Sequence, residues 1–243
     1  MTKAEARALA CRGLHEAGAA RSPFPTEVRI PNFVGAEAAA RRLRVTPACQ
    51  WARTVANSQT CGEMPVLAEV PWESRTVPDL LHPGLRVVFV GLNPGRASAT
   101  AGHHFAGPGN HFWRLLHESG LTPRRLDPAE DEHLLAMGLG ITNAVPRSSR
   151  GEQDLAWEEF LAGAEALRQK VANCQPGVVA LLGKMAYRAY AGLSRTADVA
   201  WGRQDRHTVP GVAEYLAANP SSRSTVPFAV RLAQFQEIRR LAE

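Results

Sequence analysis

Two short segments hold side chains whose types and setting suit chemistry: Gly91-Leu92-Asn93-Pro94-Gly95 and Asn219-Pro220-Ser221-Ser222-Arg223-Ser224. The first follows the apolar run Val87–Val90, so it reads as a buried strand that stops in a tight loop. Pro94 has no N–H and a fixed φ, while Gly91 and Gly95 can take backbone angles closed to other residues. The expected result is an Asn93 amide and several backbone N–H groups presented at the carboxyl end of a strand, where open α/β sheets bind ligands. An amide accepts a hydrogen bond from water through its oxygen but is a poor base. Asn93 therefore suits the orientation of a reactant better than nucleophilic or metal chemistry. Its alternative role is local, because Asn-Pro-Gly is good turn sequence.

From Leu80 onward, strand and helix patterns alternate. Val87–Val90 and Val178–Leu182 are continuous apolar runs ending at glycine, as buried parallel strands do. Gly140–Val145 and Ala213–Ala217 are shorter strand candidates leading into polar loops. Helices are expected over Asn110–Ser119, Pro128–Met137 (with Asp127 as its cap), Glu158–Ala172, Lys184–Ala191 and Pro227–Leu241. This order implies an α/β chain folded as a three-layer α/β/α sandwich around a central, mainly parallel sheet. Phe112 and Trp113 have helical spacing and are assigned to the core.

The chain has 243 residues, 45% of them hydrophobic, and a net charge of +5 from 28 Lys+Arg against 23 Asp+Glu. Only Lys3, Lys170 and Lys184 are lysines. Arginine offers phosphate a bidentate fork, so the bias is compatible with nucleic acid. There is no apolar run of about 20 residues, which excludes an ordinary membrane-spanning helix. No charged–apolar–small leader opens the sequence, so a cytoplasmic location is expected. Cys11, Cys49, Cys61 and Cys174 form no C-x-x-C pair, which argues against an iron–sulfur cluster or structural zinc. Adjacent His103 and His104 have no neighbouring cysteine or carboxylate in sequence and are read as loop residues facing a ligand. Neither a metal nor a cofactor is expected.

GLNPG, the gapless HHFAGPGNHFWRLLHESGLTPRRL, GLGITN and ANPSSRS, in that order, resemble the mismatch-specific uracil/thymine-DNA glycosylases. These form the Mug branch of the uracil-DNA glycosylase superfamily. The resemblance runs from about Arg75 to the C-terminus and divides the chain into an N-terminal extension, 1–74, and a catalytic domain, 75–243. It implies a monomeric repair enzyme acting on double-stranded DNA that carries mispaired uracil or thymine. The base is flipped out and its C1′–N bond hydrolysed, leaving an abasic site. A binding protein for mismatches or abasic sites, with little catalysis, is the alternative.

The resemblance also suggests roles. Asn93 matches the water-positioning asparagine, the backbone around Leu92 a donor to a base carbonyl, and Phe105 an aromatic that stacks on the flipped base. Asn143 can donate to O4 and accept from N3–H of uracil, whereas the lysine some relatives carry there can only donate; a turn role at the strand end is its alternative. Asn219 belongs to the base-binding set, and Ser98 matches a serine near the flipped nucleotide's phosphate. Ser221, Ser222, Arg223 and Ser224 match a loop that enters the minor groove. Where the common pattern is NPSGL, Arg223 replaces the apolar wedge. Two roles stand for it: insertion into the gap left by the base, or one more phosphate-binding cation. Lys184, at a strand-to-helix turn, suits phosphate and is not assigned a Schiff base.

Within the extension, RIPNFVGAEAAARRL, residues 29–43, resembles a fragment of the 5-formyltetrahydrofolate cyclo-ligases. That family's glycine-rich nucleotide loop is missing, so no folate activity is expected.

Overall fold

A computed structural model describes residues 71–243. Residues 1–70, including the cyclo-ligase-like segment, lie outside the described part. Five strands form one sheet: β1 (Val87–Gly91), β2 (Leu139–Asn143), β3 (Val178–Leu182), β4 (Gly202–Gln204) and β5 (Ala213–Ala217). Their order is β2-β1-β3-β5-β4, parallel throughout except for β4, which runs antiparallel to β5. The helices are α1 (Arg96–Ala101), α2 (Phe112–Glu118), α3 (His133–Ala136), α4 (Trp157–Cys174), α5 (Lys184–Tyr190) and α6 (Phe228–Leu241).

Successive strand side chains point to opposite faces, and here both faces are dry. Val88, Val90, Val179 and Leu181 pack with Phe160, Leu167 and Val171 of α4 and Tyr187 and Tyr190 of α5. Val87, Phe89, Val178 and Ala180 face the other way, onto Phe112, Leu115 and Leu116 of α2 and Phe235 and Ile238 of α6. The result is the three-layer sandwich. Aromatic rings seal the second layer: Phe89 lies parallel to Phe235 at 5.5 Å and edge-on to Phe112 at 5.4 Å.

Three elements differ from the sequence expectation. Strand β4 has only three residues at the sheet edge, and a Gly-Arg-Gln run carries no apolar signal. Helix α1 is six residues, closed by Gly102 in the left-handed conformation, and is too short to show periodicity. The helix expected over Pro128–Met137 is a 3₁₀ turn, Pro128–Glu130, followed by the single turn α3. Between them the buried Asp131 directs its carboxylate at the His103–His104 segment instead of solvent.

Because β1, β2, β3 and β5 are parallel, Gly91, Asn143, Leu182 and Ala217 end at one edge of the sheet. The loops leaving that edge build the site.

Candidate functional site

All the expected site residues line one cavity of about 540 Å³. Leu92, Asn93 and Ser98 enter from the segment after β1, Phe105 from the following loop and Asn143 from the tip of β2. Asn219, Ser221, Ser222, Arg223 and Ser224 complete the wall from the loop after β5. A volume of this size suits one nucleoside-sized ligand.

The loop carrying Asn93 is zipped to the loop after β2. Ala144, Val145 and Ser149 donate their backbone N–H groups to the carbonyls of Gly91, Leu92 and Pro94, at 2.9, 2.9 and 3.1 Å. Neither Gly91 nor Gly95 has a positive φ. The expected conformational reason for the glycines therefore gives way, at Gly91, to a spatial one. A Cβ on Gly91 would lie 2.6 Å from Asn143 Oδ1 and 3.3 Å from Phe105 Cζ. A missing side chain is what lets the amide and the ring converge.

The Asn93 amide has a defined orientation. Its Nδ2 donates to Ser149 Oγ at 2.8 Å, to the Arg147 carbonyl at 3.2 Å and to the Pro94 carbonyl at 3.3 Å. The Ser149 hydroxyl donates in turn to the Gly151 carbonyl at 2.8 Å, so toward Asn93 it can only accept. With the nitrogen committed, Oδ1 is the group left to hold a ligand or water. Arg147 is itself fixed by a charge-assisted pair with Glu159, which holds the Glu159 carboxyl down to about 2.

Asn143 presents the opposite case. It is 8% exposed, and among the described residues its amide has no hydrogen-bond partner. The amide borders the cavity and is open to it, so both its donor and its acceptor are available to a ligand there. Phe105 lies against Phe112 with centroids 4.0 Å apart and planes 24° from parallel. Its φ of 51° is an uncommon conformation for a bulky residue, and such outliers cluster at functional sites. Trp113 and Phe112 are core residues, as their spacing indicated.

The other candidates in the cavity wall also make local hydrogen bonds. Ser98 is 6% exposed, and its Oγ accepts the Ala106 N–H at 3.1 Å, pinning the segment after Phe105. Asn219 Oδ1 accepts the Ser221 N–H at 2.9 Å, which fixes the amide and leaves its NH₂ to a ligand. Ser221 Oγ accepts from the Arg223 N–H and Ser224 Oγ from the Val226 N–H, so both shape the loop. Exposed Arg223 donates through Nη2 to the Arg150 carbonyl at 3.0 Å, joining the walls that follow β2 and β5. The Lys184 ammonium lies over the ring of exposed Trp201, 5.0 Å from its centroid.

The histidine reading needs correction. His104 is 2% exposed and turned inward: its Nε2 bonds to the Pro78 carbonyl at 2.8 Å and its backbone N–H to Asp131 Oδ2. His103 Nδ1 is 3.1 Å from Asp131 Oδ1. The carboxylate partner is present, 27 residues away from His104 in sequence. Burial lowers the pKa of His104, against the raising influence of the Pro78 carbonyl. His111 is lowered too, first by burial and then by Arg231, Arg114 and Arg125.

The unfolded chain takes up these protons near pH 6.5, whereas the folded protein resists until a lower pH. Stability is therefore fully present above about pH 6.5 and is lost as pH falls below it. The melting temperature should drop between pH 7.5 and 5.5. In His104→Gln, which can still donate to the Pro78 carbonyl, the drop should be shallower, and an unchanged slope would contradict the assignment.

Sequence reasoning missed Ser149 and Arg147, which have no motif of their own. The Ser-Ser pair after GLGITN was the only available signal. Against known families, the model of the uracil DNA glycosylase superfamily matches residues 78–242.

Proposed function

Because the chain belongs to the uracil DNA glycosylase superfamily, we propose that it is a monofunctional DNA glycosylase of the mismatch-directed branch, one that removes uracil from G:U mispairs. The observation that carries this reading is the unpartnered amide of Asn143 in the cavity wall. An amide offers one acceptor and an NH₂ donor side by side, which complements the N3–H and O4 edge of uracil. The Phe105 face turned away from Phe112 then stacks on the base, an interaction worth about 1–3 kcal/mol and indifferent to base identity.

Hydrolysis requires a water below C1′ and stabilisation of a departing, nearly anionic base. In this reading Asn93 Oδ1 holds the water, and its fixed orientation supplies what a weak base cannot. Backbone N–H groups near Leu92 stabilise the leaving oxygen. The chemistry asks for orientation and electrostatics from the protein alone. The three acceptors on Asn93 Nδ2 also favour catalysis over mere binding, since a mismatch-binding protein has no use for an amide held so firmly. Thymine in G:T mispairs and damaged pyrimidines are further candidate substrates, and the flanking duplex is held by the Ser221–Ser224 loop and Arg223.

The test is incubation with matched duplexes carrying G:U, G:T, A:U or G:C, followed by alkaline cleavage of abasic sites. Strand breaks at G:U are expected; tight G:U binding without breaks would shift the assignment to the binding protein. Asn143→Lys removes the acceptor for N3–H and should slow uracil excision by about 10–100-fold, the penalty of one unsatisfied buried group. Excision at the unmodified rate would remove Asn143 from its role.

A further inference from the structure

Arg231 is a charge in the wrong place for stability. It is 3% exposed and sits in the first turns of α6, where the helix dipole disfavours a cation and no acidic residue offsets it. No carboxylate pairs with it among the described residues. Glu118, on the neighbouring helix, is taken by Arg114 at 2.6 Å, and Glu237, further along α6, by the Tyr215 hydroxyl at 2.6 Å. The Arg231 Nε is buried with no hydrogen-bond partner. A buried, uncompensated guanidinium is strongly disfavoured and is ordinarily paired.

What Arg231 does touch is the back of the loop after β5. Its Nη1 donates to the Ser221 carbonyl at 3.1 Å and reaches the Asn219 carbonyl at 3.5 Å. The neighbouring His111 N–H holds the Pro220 carbonyl at 2.9 Å. The surroundings are otherwise cationic or aromatic: the Phe228 ring has the Arg114 guanidinium over it at 4.2 Å, Arg231 at 6.0 Å and the His111 ring edge-on at 5.4 Å. Three consecutive loop carbonyls are thus drawn inward. Ser222 and Arg223 lie on the exposed side of the same loop.

We propose that Arg231 is a positioning residue for DNA: a buried positive charge held behind the Asn219–Ser224 loop, complemented only when a phosphodiester group binds the loop's outer face. It acts through the loop, by fixing its carbonyls inward and by placing a poorly screened charge behind the phosphate. The inference rests on the glycosylase reading, in which that loop meets the duplex.

The test compares the full chain with Arg231→Gln, which keeps a donor for the Ser221 carbonyl but removes the charge, and with Arg231→Lys, which keeps the charge. Affinity is measured for G:U and G:C duplexes at low and at raised salt, beside the melting temperature. Arg231→Gln should bind both duplexes about tenfold more weakly at low salt, with the gap narrowing as salt screens the charge. Its melting temperature should be unchanged or higher, because an unpaired buried charge has gone. Arg231→Lys should recover most of the affinity.

A lower melting temperature with a salt-independent loss of affinity in Arg231→Gln would make Arg231 a scaffold residue and overturn the proposal. Unaltered affinity would also overturn it. If the unmodified protein binds neither duplex, the glycosylase reading fails first and takes this inference with it; if it binds and Arg231→Gln binds equally, only the inference fails.

Discussion

Uracil excision from a G:U duplex under single-turnover conditions should fall by about 10²–10³-fold in Asn93→Ala, the range associated with losing one preorganised polar group at a reacting centre. Duplex affinity should change little, because Asn93 approaches the water and not the phosphates in the proposed mechanism. The geometry makes a graded companion prediction. Ser149→Ala removes the shortest of the three bonds to Asn93 Nδ2, at 2.8 Å, and leaves those at 3.2 and 3.3 Å. The amide should then sample other orientations, and the rate should fall by about tenfold, one kcal/mol-scale hydrogen bond's worth. Rapid-quench measurement with saturating enzyme reads both effects free of product release. An Asn93→Ala enzyme that cleaves within about threefold of the unmodified rate would move the water to another group, since removing a group that acts only in the transition state must lower the rate.

Gly91→Ala should be the second severe lesion, and for a different reason. Gly91 pairs with Asn143 in register between the parallel strands β1 and β2, whose residues there are buried. The backbones there cannot spread without breaking the ladder. The new methyl would sit 2.6 Å from Asn143 Oδ1 and 3.3 Å from Phe105 Cζ, so the amide must rotate away and the ring must tilt. Uracil excision is expected to fall by about 10²-fold, as for a misplaced reactant. Overpacking adds a stability loss of about 1–3 kcal/mol. The diagnostic measurement is a double-mutant cycle with Asn143→Ala. If Gly91 acts by leaving space for that amide, the second substitution should cost much less than the first, a coupling of the size seen for residues in contact. Additive losses would mean that the methyl damages something else.

The main frame was legible because parallel strands buried on both faces must be apolar along their whole length. Val87–Val90 and Val178–Leu182 could not easily be anything else. Strand β4 was not legible, since an edge strand of Gly-Arg-Gln needs no apolar residue to pair with β5. At the site, Asn93, Phe105, Asn143 and Asn219 were readable as types in a familiar order, and they meet at one cavity. The groups that orient them were hidden. Ser149 meets Asn93 across 56 residues through a contact created by the zipping of two loops, and no local pattern encodes it. Asp131 shows the same thing at His104. Arg231 did leave a trace: it falls on the stripe Phe228, Phe235, Ile238 at helical spacing, a charged residue where the period calls for an apolar one.

In the proposed mechanism, the committed nitrogen of Asn93 bears on how the chemistry could evolve. Asparagine and aspartate are separated by one nucleotide in the codon, and a carboxylate is the direct route from an orienting amide to a true general base. Here that step meets two backbone carbonyls and a hydroxyl oxygen whose proton is already given to Gly151. A carboxylate oxygen placed among them would be repelled, or would be held protonated and useless as a base. Faster chemistry is therefore not one substitution away. The Ser149 hydroxyl can turn to donate, but the Pro94 and Arg147 carbonyls cannot, so in that mechanism the loop after β2 must be rebuilt before position 93 itself can be exchanged.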